Sequence, residues 1–258
     1  MIVALALAGC GQQPAADRAE SPRGRAAAKG TALAALDTLA VKGRAPKTGY
    51  DREQFGGDWV SVDGCDVRQR VLRRDLRREA LAPGSTCEVQ AGVLADPYTA
   101  TAIEYVSGEP VVDIDHVVAL GDAWQKGAQQ LPYARRVELA NDPLNLLAVD
   151  ASANRQKGDA DAATWLPANT AFRCAYVARQ IAVKRRYRAW VTPAERDAIR
   201  RVLARCPRTP LPTARRVRVT GELTGCDALR AAGRAPVARG ERGYDERLDG
   251  DGDGVACE

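Results

Sequence analysis

Apolar residues along the middle of the chain follow the spacings of several helices and two short strands. Four segments are predicted to be helices: 31–41, 66–78, 172–190 and 192–205. Runs of β-branched residues and leucine at 110–120 and 144–149 predict buried strands, and a helix is predicted at 151–158, directly after the second run. We therefore expect an α+β fold that is mostly helical.

Changes in composition divide the chain into a body and a small carboxyl-terminal segment. Prolines and few bulky apolar residues mark 207–224 as a linker between a domain at 32–206 and a second at 225–258. From Glu241 onwards there are seven acidic residues against two arginines, whereas the whole chain has a net charge of +5. The basic body favours a polyanionic partner. Aromatic residues make up only 5% of the chain, which argues against a protein that stacks single-stranded bases.

The amino-terminal segment predicts export. The apolar run 2–8 is too short to span a bilayer as a helix but has the character of a signal-peptide core. Residues 7–10, Leu-Ala-Gly-Cys, resemble the bacterial lipobox, which implies a lipid on Cys10 and a lipoprotein signal at 1–10. The alternative is a short apolar start with an incidental cysteine. Residues 11–31 are polar and small and are predicted to be a disordered tether.

Lipidation of Cys10 would account for the odd number of cysteines, which is seven. The other six cysteines can pair in 15 ways, and the sequence alone does not decide among them. The simplest pattern joins near neighbours within each unit. Its pairs are Cys65–Cys87, Cys174–Cys206 and Cys226–Cys257.

The single histidine of the chain excludes any site built from several histidines, yet its context indicates chemistry. Asp115 and His116 are adjacent at the end of a β-branched run, so their side chains point to opposite faces of a strand. One side chain can then bind a metal while the other contacts a water molecule near it. Two asparagine motifs follow, NDPLNLLAV with Asn145 and ANRQKGD with Asn154.

In this order the motifs DIDHVV, NDPLNLLAV and ANRQKGD resemble the HNH, or ββα-metal, nuclease motif. More narrowly, with TGYDR at 48–52 and WLP at 165–167, they resemble the secreted actinobacterial HNH endonucleases over roughly residues 35–206. The resemblance implies that His116 is the general base and that Asn145 braces its loop. Asp115 and Asn154 would hold Mg²⁺ or Mn²⁺. For Asp113, the sequence favours neither a supporting role beside the metal ligands nor a solvent-exposed role.

Basic residues near these motifs are candidates for phosphate contact. Arg155 and Lys157 follow Asn154 directly, and the segment 173–188 carries six cations and no acid, among them Lys184 and Arg185. The alternative for the longer segment is an ordinary solvated helix face. Nothing in the sequence resembles a base-reading module, so we expect little sequence specificity.

The carboxyl-terminal segment has three aspartates at alternate positions, followed by Gly254, as in the first half of an EF-hand loop. With GCDAL at 225–229, it resembles the Excalibur calcium-binding domain. The resemblance implies Ca²⁺ ligands at Asp249, Asp251, Asp253, Val255 (through its carbonyl) and Glu258. The glutamate stands at loop position ten rather than twelve, which makes it the least secure ligand of the set.

Together these features predict an extracytoplasmic, metal-dependent HNH endonuclease that hydrolyses DNA, held at a membrane through Cys10 or secreted. Its expected architecture is a mostly helical domain around a ββα-metal finger, with a small disulfide-stapled calcium-binding domain. We expect no obligate protein partner. Two alternatives remain open: an RNase or other phosphodiesterase, and a calcium-dependent surface-binding protein whose HNH-like domain is inactive.

Overall fold

A computed structural model of the chain describes residues 30–57, 59–215, 225–231, 233–241 and 243–258, together with Met1 and Ala28. The helices are α1 Ala32–Leu36, α2 Val67–Asp75, α3 Leu120–Trp124, α4 Tyr133–Ala140, α5 Ala151–Lys157, α6 Arg173–Tyr187, α7 Pro193–Leu203 and α8 Gly225–Ala231. The strands are β1 Ser61–Val62, β2 Cys65–Asp66, β3 Leu76–Leu81, β4 Val89–Ala95, β5 Ala102–Val106, β6 Val112–His116, β7 Leu146–Asp150, β8 Val237–Ala238 and β9 Val255–Ala256. Short 3₁₀ turns lie at Arg52–Phe55, Ala128–Gln130 and Glu246–Leu248. This mixture is of the α+β class, as expected.

A three-stranded antiparallel sheet in the order β3-β4-β5 was not predicted from the sequence. Asp66 caps α2, since its Oδ1 accepts from the backbone N–H of Gln69 at 2.7 Å. The helix ends at Asp75, not at residue 78, because Leu76 begins the strand that pairs with β4. Pairing with a distant strand therefore overrides the helical spacing of the last residues.

The centre of the body is an antiparallel hairpin of β6 and β7, followed directly by α5. Asp115 pairs with Leu147, and His116 pairs with Leu146. One face of the hairpin, with Leu146, packs on α2 and the three-stranded sheet. The opposite face, with Leu147, packs on α1, α6 and α7. Asp115 and His116 therefore begin on opposite faces of the same strand, as the sequence predicts.

The helices α6 and α7 close the body around buried charges. Thr192 and Glu195 form a capping box at the start of α7. The Lys126 ammonium lies 2.6 Å from Asp122, 2.7 Å from Asp161 and 2.6 Å from Glu195, and Lys184 contacts Asp122 and Glu195 at 3.2 and 3.0 Å. Because ionised groups are costly to bury without partners, these bonds fix how the helices meet.

The predicted linker at 207–224 is wrong in its first part. The N–H of Leu211 donates to the Gly30 carbonyl at 3.1 Å, and that of Ala32 donates to the Thr209 carbonyl at 2.9 Å. Leu211 also packs against the apolar core of the body. The predicted tether likewise ends before residue 31, because Thr31 caps α1. Residues 216–224 and Cys10 lie outside the described residues.

Three disulfides join the local pairs named from the sequence. Two lie in the body, Cys65–Cys87 and Cys174–Cys206, and the third is Cys226–Cys257. In the carboxyl-terminal unit β8 pairs with β9, and Leu229, Val237 and Ala256 form a small apolar cluster beside the disulfide. In the part of the chain that is described, no helix has the length and apolar character needed to cross a membrane.

Candidate active site

His116 ends β6 and is 7% exposed. Its ring stacks on Trp59, with centroids 5.8 Å apart, and its Nε2 atom lies 2.9 Å from the Ala140 carbonyl oxygen. Burial lowers the pKa of His116 to about 4, so the ring is neutral at pH 7. In the neutral ring the Nε2–H donates to Ala140, which leaves Nδ1 as a proton acceptor. This is the electronic state that a general base requires.

A small cavity lies beside the imidazole ring. It has a volume of about 40 Å³ and is lined by His116, Trp59, Arg52 and Asn141, among others. A cavity needs about 10–15 Å³ on this measure to hold a water molecule, so the space is large enough for water. Arg52 was not singled out from the sequence, although the signal was present in the TGYDR segment at 48–52. Its guanidinium helps to lower the pKa of His116 through charge repulsion, after the larger effect of burial.

Asn145 is fully buried and ties the loop before β7 to the segment after His116. Its Oδ1 accepts from the N–H of Val118 at 2.8 Å. Its Nδ2 donates to the carbonyls of Val118 and Leu139 at 3.3 and 3.4 Å, and its own carbonyl accepts from the N–H of Val117 at 2.7 Å. The position is consistent with a brace for the loop that carries His116.

Both oxygens of the Asp115 carboxylate have donors inside the protein. The Tyr98 hydroxyl donates to Oδ2 at 2.5 Å, and the Lys157 ammonium donates to Oδ1 at 2.9 Å. Burial raises the pKa of Tyr98 well above its usual value, and the charge of Asp115 raises it further. Tyr98 therefore stays a hydrogen-bond donor. Neither Tyr98 nor the internal position of Lys157 was anticipated from the sequence.

Asn154, expected to share a cation with Asp115, bonds instead to Asp113. Its Nδ2 donates to Asp113 Oδ2 at 3.0 Å, which gives Asp113 a supporting contact rather than a purely solvated role. The oxygen donors of Asp115 and Asn154 are of the hard type that Mg²⁺ and Mn²⁺ prefer. Their arrangement is not that of a ready ligand pair, because Asp115 faces Lys157 while Asn154 faces Asp113. The donor chemistry fits a cation, and each oxygen of the Asp115 carboxylate already has one donor inside the protein.

Two of the four predicted phosphate contacts are wrong. The side chains of Lys157 and Lys184 have no exposed area, because Lys157 pairs with Asp115 and Lys184 pairs with Asp122 and Glu195. Burial lowers the pKa of the Lys184 ammonium, but these two carboxylates raise it more, and the net shift is upward. Arg155 and Arg185 lie exposed on the surface, where contact with phosphate stays a prediction.

The predicted calcium loop brings its three aspartates together. One oxygen from each of Asp249, Asp251 and Asp253 lies within 4.8 Å of the others, the only such cluster of three or more Asp, Glu, His or Cys within the described ranges. Tyr244 donates to Asp249 Oδ2 at 2.6 Å and lowers the pKa of that carboxyl. The Asp249 carboxyl therefore stays charged at neutral pH. The Val255 carbonyl and Glu258 stay predicted ligands, and the backbone carbonyl of Glu258 accepts from Arg230 at 2.7 Å.

Comparisons with known proteins agree with this division. Residues 66–202 match the family model of GmrSD restriction endonucleases, C-terminal domain, and residues 224–258 match the Excalibur calcium-binding domain. A protein of Arthroderma benhamiae described as an uncharacterized secreted protein is 36% identical over 179 residues, 68% of this chain and 85% of the relative. No solved structure gives a significant match. With the matched region spanning α2 to α7, the chain belongs to the family of GmrSD restriction endonuclease C-terminal domains, whose name indicates a nuclease-like function, and carries a calcium-binding Excalibur domain after it.

Proposed function

We propose that the protein is an exported, metal-dependent HNH-type endonuclease that hydrolyses DNA with little sequence specificity. The observation that carries the proposal is the state of His116. Its Nε2 atom lies at a backbone carbonyl, burial keeps the pKa of the ring below neutral pH so that the ring is uncharged, and a cavity large enough for water adjoins it. A neutral imidazole held in one tautomer beside a water site is suited to take a proton from a nucleophilic water.

The other residues of the site then take supporting roles. Asn145 holds the segment after His116, so the imidazole ring stays in position beside the water cavity. Arg52 lines the same cavity and is suited to contact a phosphate oxygen. When bound by Asp115 and Asn154, a divalent cation would stabilise the negative charge that develops at the phosphate. In this proposal the hairpin of β6 and β7, followed by α5, takes the place of the ββα finger, since it carries His116, Asp115 and Asn154.

Exposed arginines on the body are suited to contact the nucleic-acid backbone. Arg155 lies on α5, and Arg185 lies on α6 beside a cavity of about 620 Å³ that Arg135 and Arg188 also line. Arginine forks of this kind bind phosphate oxygens irrespective of base identity. This supports a polyanionic substrate without sequence preference, and RNA remains the alternative to DNA because its phosphodiester is chemically similar.

Export is supported by the three disulfides, which fit an extracellular location. The relative from Arthroderma benhamiae is described as secreted. We extend this to the present chain and propose that Cys10 carries the lipid. Replacement of Cys10 by serine should then release the protein from the membrane fraction, and unchanged partitioning would contradict the anchor.

The test of the proposed function is cleavage of plasmid DNA and of RNA with Mg²⁺, Mn²⁺, Ca²⁺ or EDTA. His116→Ala should lower the cleavage rate about 100-fold or more, the usual contribution of a general base. Arg196→Ala is the matched control, because Arg196 is half-buried on α7 and pairs with its neighbour Asp197, away from the candidate site. Undiminished cleavage by His116→Ala would refute the assignment of the base.

A second candidate is a calcium-dependent surface-binding protein whose nuclease-like domain is inactive. The observation that favours it is the pair of donors on Asp115, since both carboxylate oxygens are bonded within the protein. Absence of cleavage with every metal, combined with Ca²⁺ binding by the loop at 249–258, would support this candidate over the nuclease.

A further inference from the structure

The ammonium group of Lys157 lies inside the candidate active site. Its Nζ atom is 2.9 Å from Asp115 Oδ1 and 2.9 Å from the backbone oxygen of His116. The side chain has no exposed area, so no solvent shares in neutralising its charge. One lysine therefore contacts both the proposed base and the proposed metal ligand Asp115, although the proposed function gives the lysine no role.

The contacts of Asp115 explain why a lysine is buried there. Tyr98 bonds the other oxygen, Oδ2, through a neutral hydroxyl at 2.5 Å, so Lys157 is the group that balances the carboxylate charge. A buried carboxylate left without a cation is strongly destabilising. A divalent cation at Oδ1 would lie close to the ammonium, and charges of the same sign repel strongly at such a distance in a buried site. The two cations therefore compete for one oxygen.

We propose, on the basis of the proposed function, that Lys157 is the resident counter-cation of Asp115, and that a divalent cation reaches this carboxylate only by displacing the Lys157 ammonium. Tyr98 keeps Oδ2 in place during the exchange. Lys157 is the last residue of α5, and Gly158 follows with a φ of +48°, so the proposed exchange takes place at the end of the helix. No covalent bond changes in this step: an ammonium contact breaks and a metal–oxygen contact forms.

The first experiment uses the parent protein and an amine-acylating reagent, with modified lysines identified by mass spectrometry. Lys157 should be protected without Mn²⁺ and become modified when Mn²⁺ is present. Lys126 and Lys184 are internal controls, because they are equally buried against carboxylates that do not belong to the candidate site. Both should stay protected throughout. Unchanged protection of Lys157 at saturating Mn²⁺ would overturn the exchange.

The second experiment measures Mn²⁺ affinity of the full chain by calorimetry for the parent and Lys157→Met. Each is compared with the same protein carrying Asp115→Asn, which separates binding at Asp115 from binding at the calcium loop. Lys157→Met should bind Mn²⁺ about tenfold more tightly or better, the scale on which partners of metal ligands act, and Asp115→Asn should abolish the gain. Equal or weaker affinity, or no Asp115-dependent binding in either protein, would refute the proposal. If Lys157→Met does not fold, the acylation result decides.

Failure of this proposal and failure of the proposed function can be told apart. Cleavage that requires both His116 and a divalent cation, while Lys157 stays protected, would retain the proposed function and overturn the exchange, with Lys157 as a permanent cation of the site. Metal-dependent exposure of Lys157 without any cleavage would retain the exchange and remove the nuclease.

Discussion

Replacement of Asn145 by alanine tests whether this buried amide holds the candidate active site together. The substitution removes three hydrogen bonds to backbone groups, and the N–H of Val118 loses its acceptor at 2.8 Å. An unsatisfied buried donor costs about 1–3 kcal/mol, and the two longer bonds cost less, so the free energy of unfolding should fall by about 2–4 kcal/mol. For a domain of this size, the Tm of the body should fall by about 4–16 °C.

The same substitution should also lower cleavage, because the freed segment includes the residues that directly follow His116. A displacement of about 1 Å at the base lowers the rate by about 100-fold, so kcat should fall well below that of the parent at temperatures where the variant is folded. Calorimetric melting and plasmid cleavage measure the two effects separately. Asn169→Ala is the control, since Asn169 is half-buried, bonds to the Pro97 carbonyl at 3.1 Å and lies outside the site.

Two results would contradict this reasoning. If Asn145→Ala melts within about 1 °C of the parent, the three bonds do not contribute to stability as calculated. If it is destabilised but cleaves with an unchanged kcat, Asn145 stabilises the fold without positioning the base. Asn169→Ala should show a smaller loss of stability and no loss of kcat.

Three further predictions concern charge, calcium and the water cavity. Burial alone would raise the pKa of Asp122, but Lys184 and Lys126 lower it below its usual value. The contribution of the Asp122 carboxylate to stability is therefore present above about pH 4 and is lost as the pH falls through the lowered pKa. When urea midpoints are measured against pH, Asp122→Asn should show a smaller loss of stability in acid than the parent. Ca²⁺ at about 100 times its Kd should stabilise the carboxyl-terminal unit by about 2.7 kcal/mol, and calorimetry should find this gain absent in Asp251→Ala; a Tm that does not respond to EGTA in the parent would refute it. Arg52→Ala should lower kcat/KM about tenfold or more for DNA, and an unchanged value in steady-state assays would remove Arg52 from the phosphate site.

The local patterns of the sequence determined which face of a strand a residue lies on, where a helix begins and which residues share a short loop. The alternation of strand side chains placed Asp115 and His116 on opposite faces, and Thr192 with Glu195 predicted the cap of α7. The alternate aspartates of the calcium loop do converge, because the glycines between and after them, Gly252 and Gly254, take positive φ and turn the short loop around one point. Such features depend on residues a few positions apart, whose geometry the backbone fixes locally.

What the tertiary structure decided is the environment of the charged side chains and the pairing of distant strands. The sequence places Lys157 beside Asn154, as though both faced a phosphate, but only the fold brings it to Asp115, 42 positions earlier. Lys184 lies within a run of cations, yet its partner Asp122 is 62 positions away. The three-stranded sheet that shortens α2 depends on contacts between residues such as Leu76 and Leu94. A charged lysine inside a protein is stabilised by carboxylates that contact it, and the positions of those carboxylates are set by the packing of the whole chain.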